Sequence, residues 1–209
     1  MKIADQKRIY IVGNNTGVGK TIVSAILTEA FQADYWKPIQ AGDLEHSDSN
    51  IVSRLVSNDK SKIHPEAYLL QEPISPHAAA EREGIEIKIE SIVAPETSRQ
   101  LIIESAGGIL SPINRKKTMR DLAVHLKSPA LIVSRHYLGS INHTLLTIEA
   151  LKDRQIPILG VIFVGDPEPE SETVIVGMGR AKMLGRVSWE DGFSPSLVSQ
   201  YARLLKEVL

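Results

Sequence analysis

The sequence predicts an α/β fold with a mainly parallel β-sheet flanked by helices on both faces. Two observations predict it. Short β-branched runs alternate with longer stretches of helical periodicity, the pattern of βαβ units, and a glycine-rich turn joins the first strand-like run to the first helix-like one. At 209 residues and 43% hydrophobic content, the chain can bury one substantial core and is expected to form one domain, 1–209.

The strands are expected at residues 8–12, 33–37, 100–104, 130–134 and 158–164, with a weaker one at 185–188. Helices are expected at 19–31, 47–55, 77–82, 118–126, 141–153, 170–183 and 194–209, where apolar residues recur at helical spacing. The proline-rich stretches 65–76 and 166–169 read as surface loops, because periodic segments resume directly after each. Ligands of an open parallel sheet gather at the carboxyl ends of its strands, and Gly13, Lys37, Glu104 and Gly165 are each expected at or just beyond such an end.

Composition narrows the function. With 24 basic and 25 acidic residues spread along the chain, nothing forms the basic footprint of a nucleic-acid binder, so a small-molecule partner is expected and no nucleic acid. The absence of cysteine excludes disulfides and thiolate catalysis and leaves oxygen or imidazole as metal ligands. The apolar run before Gly13 is too short for a signal peptide and no stretch spans a bilayer, so a cytoplasmic protein without membrane contact is expected.

The run Gly13-Asn14-Asn15-Thr16-Gly17-Val18-Gly19-Lys20-Thr21 is a complete G-x-x-x-x-G-K-T pattern between a strand and a helix, the P-loop context. Its backbone amides would wrap phosphates at the helix start, Lys20 would neutralise β/γ-phosphate charge, and Thr21 would ligate Mg²⁺. The fold expected is therefore a single-domain P-loop NTPase-like one. Mg²⁺ favours carboxylates together with phosphate oxygens, which singles out Glu104, ending an apolar run before Ser105-Ala106-Gly107-Gly108, and Asp48. Asp48 reads equally as a helix-capping acid, and Lys37, whose ammonium Pro38 would fix toward the strand-end crevice, reads alternatively as a solvated surface lysine. His77 and His143 lack metal-ligand partners at the usual spacing and read as helix-entry residues.

Taken together, the P-loop, Lys37-Pro-Ile-Gln-Ala-Gly42, Ser47-Asp48, Ser75-Pro-His-Ala-Ala79, Glu104-Ser-Ala-Gly-Gly108 and Leu138-Gly-Ser-Ile-Asn-His-Thr144 resemble the dethiobiotin synthetase family over almost the whole chain. The resemblance implies a homodimeric ATP-dependent cyclo-ligase of biotin biosynthesis. Its reaction carboxylates 7,8-diaminopelargonate to a carbamate, phosphorylates the carbamate with ATP and closes the ureido ring, with release of ADP and phosphate. It further implies that Thr21, Asp48 and Glu104 hold Mg²⁺, that Thr16, Lys20 and Lys37 are catalytic, and that Gly107, Gly108 and Gly165 join the P-loop around the nucleotide. Lys37 and Ala41 would meet the substrate, as would Gly139, Ser140, Ile141 and Asn142 of the partner subunit. The chain departs from the family at Asn14-Asn15, where Thr-Asp is common, at Ala41, where a hydroxyl is usual, at Ser105, and at Val164-Gly165-Asp166, where an asparagine commonly reads the adenine edge.

Three other readings compete. A switch-type ATPase of the partition or septum-placement kind would carry a further lysine early in the loop, where Asn14 and Asn15 stand. An amide-forming synthetase would append a glutaminase with a nucleophilic cysteine. A nucleotide-binding paralogue without ligase activity is suggested by Asn15, Ala41 and Gly165.

Overall fold

A computed structural model describes residues 2–209. In chain order the elements are β1 (Arg8–Gly13), α1 (Lys20–Phe31), β2 (Asp34–Trp36), β3 (Ile39–Ala41), α2 (Asp48–Leu55), β4 (Ile63–His64), β5 (Tyr68–Leu70) and α3 (Pro76–Arg82). They continue with β6 (Leu101–Gly108), α4 (Met119–His125), β7 (Ala130–Arg135), α5 (Ser140–Asp153), β8 (Ile158–Val164), α6 (Pro169–Gly179), β9 (Met183–Val187) and α7 (Pro195–Lys206). Seven strands form a parallel sheet in the order β4-β2-β6-β1-β7-β8-β9, while β3 and β5 pair in a separate ribbon.

Both faces of the sheet are covered, which is why its strands are apolar on both sides. Along β1, Tyr10 and Val12 face the layer containing Ala79, Leu122, Ile148 and Ile175 of α3 to α6. Ile9 and Ile11 face the layer of Val23 and Ile26 from α1, Val52 from α2 and Val198 from α7. The period of two in β1 thus divides the interior into two cores. No helix among the described residues is long and apolar enough to cross a membrane.

Several boundaries differ from expectation. The stretch 65–76, expected as a loop, contains β5, whose Leu70 pairs with Ala41 of β3; these strands and β4 are too short to show a period. The helix expected to reach residue 183 stops at Gly179, because Arg180 turns left-handed (φ 45°) and Met183 opens β9 two residues before the expected strand. Glu104, expected at a strand tip, lies inside β6: from the pair Ile11–Glu104 to the pair Gly13–Gly108, β1 advances two residues and β6 four. That irregularity carries Gly107 and Gly108 to the phosphate loop and leaves Glu104 buried behind it.

Candidate active site

The site begins where β1 ends. A Cβ on Gly13 would lie 2.7 Å from the Asn15 carbonyl oxygen and 2.7 Å from a Val18 methyl, so the turn closes only on glycine. Gly19 caps α1 in a left-handed conformation (φ 94°), which turns the loop into the helix. The amides of Gly17, Val18 and Gly19 have no acceptor among the described residues, leaving donors at a helix N-terminus for an anion. Lys20 is buried, and its ammonium donates to the Asn15 carbonyl at 3.1 Å. Burial pulls its pKa down to about 8 against the opposing pull of Glu104, with Lys37 adding to the depression.

Next to the loop, three elements converge. Thr21 Oγ1 lies 2.7 Å from Asp48 Oδ1 and 2.9 Å from Glu104 Oε1. A hydroxyl has a single proton and cannot donate to both carboxylates, so this is an acceptor-rich set of hard oxygens. Two carboxylates and a hydroxyl beside a phosphate loop fit Mg²⁺, which keeps its remaining positions for phosphate oxygens and water. Glu104 is only 1% exposed and is held from the other side by the Tyr35 hydroxyl at 3.0 Å. Burial and this carboxylate push the Tyr35 phenol well above its ordinary value, so Tyr35 stays a donor.

Lys37 is buried rather than solvated, pairs with Asp48 and lies 3.7 Å from Glu104 Oε1. Burial lowers its pKa, with Glu104 and Glu66 opposing. The capping reading of Asp48 is settled by its neighbour: Ser47 accepts from the Asn50 amide at 3.2 Å, which frees the Asp48 carboxylate to turn toward Thr21 and Lys37. A cavity of about 530 Å³ opens over Lys37, walled by Thr16, Gln40, Ala41, Asp48, Gly107 and Ser111. Gly107 (φ 69°) has no room for a Cβ, which would meet Ser111 Oγ at 2.5 Å, and Gly108 donates to the same oxygen at 3.0 Å.

Other expected residues lie apart from this cavity. Asn14, expected at the phosphates, turns its side chain inward, and its Nδ2 reaches Ser134, the Arg135 carbonyl and Thr144 at 3.1–3.3 Å. It is a strut between β1, β7 and α5. Asn15 accepts from the Thr16 amide at 2.8 Å. Gly139, Ser140, Ile141 and Asn142 form the start of α5 and do not line the Lys37 cavity of their own chain. His77 bonds Ser75 and His143 bonds Tyr137, neither of them in that cavity.

Gly165 follows β8, and its carbonyl accepts from Arg186 at 3.2 Å, as does that of Asp166. Glu172 Oε1 anchors the same arginine and takes bonds from His136 and the Glu168 amide, each at 3.0 Å. Beside Gly19 lies a second, narrower slot of about 140 Å³ whose walls include Val164, Val187, Trp189 and Phe193. It is Val164, not Gly165, whose side chain reaches this slot. Tyr35, Ser111 and Trp189 carried no expected role, and Gln40 appeared only within the Lys37–Gly42 motif. Only Trp189, an isolated tryptophan directly after a strand, offered a signal.

The fold and the site define a P-loop nucleotide-binding protein with an acid–lysine pocket beside the phosphate loop. Residues 7–196 match the family described as an AAA domain. The ATP-dependent dethiobiotin synthetase BioD of Christiangramia forsetii is 51% identical over 203 residues, 97% of this chain and 98% of the relative. Those of Cytophaga hutchinsonii (48%, covering 94% and 95%) and Brucella ovis (46%, covering 90% and 89%) carry the same name. The chain belongs to the dethiobiotin synthetase family. Among solved structures, the cell division ATPase MinD of Pyrococcus furiosus matches with a TM-score of 0.62 at 12% identity, covering 97% of this chain and 100% of that one. A ParA family ATPase from Chlorobium tepidum matches with 0.58 at 12% identity, covering 96% and 98%. These two share the fold alone, so the switch-ATPase reading gives way to the family assignment.

Proposed function

We propose that the protein is an ATP-dependent ligase that closes the ureido ring of dethiobiotin from 7,8-diaminopelargonate and CO₂. One amine adds to CO₂ and loses a proton, giving a carbamate. A carbamate oxygen attacks the γ-phosphorus and ADP leaves; the second amine then attacks the carbonyl carbon, phosphate departs, and a proton is released as the ring closes. The observation that carries this reading is that Thr16 belongs both to the phosphate loop and to the wall of the Lys37 cavity, so a triphosphate and a ligand over Lys37 meet at one residue.

Two anions must approach there, which demands preorganised positive charge. Lys37 holds the carbamate, Lys20 faces the γ-phosphate, and Thr16 orients the oxygens between them. The amides of the loop and the turn at Gly107 and Gly108 position the nucleotide, with Gly165 at the far end. Thr21, Asp48 and Glu104 would hold Mg²⁺, which supplies charge neutralisation on the β- and γ-phosphate oxygens. Ala41 and its ribbon border the diamine.

The aliphatic tail of the diamine ends in a carboxylate, and the start of α5 at Gly139, Ser140, Ile141 and Asn142 is suited to an anion. Because that segment lies outside its own chain's cavity, it serves the site of a second copy in a homodimer. The wholly exposed Leu138 beside it supports this arrangement. The test incubates protein with the diamine, bicarbonate, Mg²⁺ and ATP, and follows dethiobiotin by mass spectrometry together with released phosphate. Both products are expected in equal amounts; phosphate without dethiobiotin would overturn the reading.

A further inference from the structure

The slot beside Gly19 is continuous with the phosphate loop, since Gly19 belongs to both, and it is walled mainly by Ile22, Val164, Val187, Phe193 and the Trp189 ring. A triphosphate seated on the loop therefore has an apolar, aromatic slot within reach of its other end. Of β8, only Val164 lines the slot, and its side chain carries no hydrogen-bonding group for a base edge. Glu190 is the one charged residue of the wall; a base in the slot would stack on the wall's aromatic side, and stacking demands that this side be fixed.

Trp189 lies two residues past the end of β9 and is half exposed. What fixes it comes from two strands away. Arg135, the last residue of β7, pairs in register with Val164, which pairs with Val187, so the three side chains share one face of the sheet. From that face the Arg135 guanidinium reaches across the end of β8 and lies 3.5 Å from the centre of the Trp189 ring. Arg135 does not itself line the slot, so this contact leaves the slot open. Its base is secured as well: the Arg135 amide donates to Asn14 Oδ1 at 3.4 Å and its carbonyl accepts from Asn14 Nδ2 at 3.2 Å.

We propose that Arg135 is a positioning residue for nucleotide binding: its guanidinium holds the Trp189 indole as the wall on which the base of the bound triphosphate stacks. The inference rests on the nucleotide reading above and adds to it the residue that holds the aromatic wall in place. Arg135 contacts the ring and does not line the slot, so on this proposal its removal acts through Trp189.

The test measures binding of ATP and of inorganic tripolyphosphate, each with Mg²⁺, by calorimetry. Tripolyphosphate occupies the loop and has no base. Arg135→Ala is expected to weaken ATP by about twofold to thirtyfold, the span of cation–π contacts from exposed to desolvated, and to leave tripolyphosphate unchanged. Trp189→Ala is expected to weaken ATP by about fivefold to a hundredfold, the range for one base–aromatic stack, and adding Arg135→Ala to it should cause no further loss. Unchanged ATP affinity in Arg135→Ala, an equal loss for tripolyphosphate, or additive losses in the double variant would each overturn the proposal. Wild-type protein that binds tripolyphosphate as tightly as ATP would remove the base slot alone. Wild-type protein that binds neither would remove the nucleotide reading itself.

Discussion

Asp48 Oδ1 lies 2.7 Å from Thr21 Oγ1, joining the first residue of α2 to the end of the phosphate loop across 27 positions of sequence. If Asp48 and Glu104 hold Mg²⁺ as proposed, removing the Asp48 charge leaves one carboxylate for it. Asp48→Asn is expected to raise the Mg²⁺ concentration for half-maximal rate by about tenfold or more. A rate titration against Mg²⁺ reads this, and an unshifted midpoint would take Asp48 out of the metal set.

Lys37 lines the cavity proposed for the carbamate. Lys37→Ala is expected to leave ATP affinity largely intact while lowering kcat by about 10²–10³, as for other preorganised charges removed from a transition state. Single-turnover phosphate release would separate the two effects, and normal turnover would exclude Lys37 from the mechanism.

Gln40 presents a different case. Its Nε2 donates to the Gly42 carbonyl at 2.9 Å, while its Oε1 is buried without a partner in a residue that borders the Lys37 cavity. An orphaned acceptor costs about 1–3 kcal/mol until a donor arrives, and a diamine carries donors. Gln40→Met is expected to hold or raise the melting temperature, raise KM for the diamine severalfold and leave KM for ATP unaltered. A rise in KM for ATP would place Gln40 elsewhere.

At the end of β8 two neighbouring substitutions should separate. Gly165 has φ 102°, where a side chain is strained, and open space where its Cβ would stand. Gly165→Asn is therefore expected to cost about 1–3 kcal/mol without reaching a base. Val164→Asn places an amide in the slot and is expected to change the ranking of ATP, GTP and CTP. Competition binding with the three nucleotides checks both, and a changed ranking in Gly165→Asn alone would reverse the assignment.

Away from the site, burial raises the Asp34 carboxyl, but the Lys62 amide at 2.9 Å, Thr97 and the His64 ring at 3.1 Å outweigh it and hold the pKa below its ordinary value. A depressed carboxyl stabilises the fold above its unfolded pKa of about 3.9, and that contribution is lost as pH falls through the lower folded value. Asp34→Asn is expected to cost about 1–3 kcal/mol at pH 7 and to flatten the acid side of the stability profile. Denaturant melts across pH would show an undiminished acid slope if Asp34 were not responsible.

The main strands and helices were legible because their apolar periods are local. The phosphate loop was legible because glycine spacing, lysine and threonine act within nine consecutive positions. Asp48 and Lys37 were visible only as candidates, since their alternatives, cap and surface charge, differ by burial and by the company they keep. Family resemblance supplied the roles expected of Asp48 and Lys37; the tertiary structure shows Ser47 taking the cap and Asp48 turning inward.

Local sequence determined a P-loop on a parallel sheet, because turn chemistry and apolar period are properties of adjacent residues. Tertiary structure alone decided that Glu104 sits inside β6 behind the loop, that Asn14 is a strut, that Val164 rather than Gly165 faces the slot, and that Arg135 lies on Trp189. Each of these depends on register between strands distant in sequence, and a shift of one residue there would turn a side chain to the opposite face.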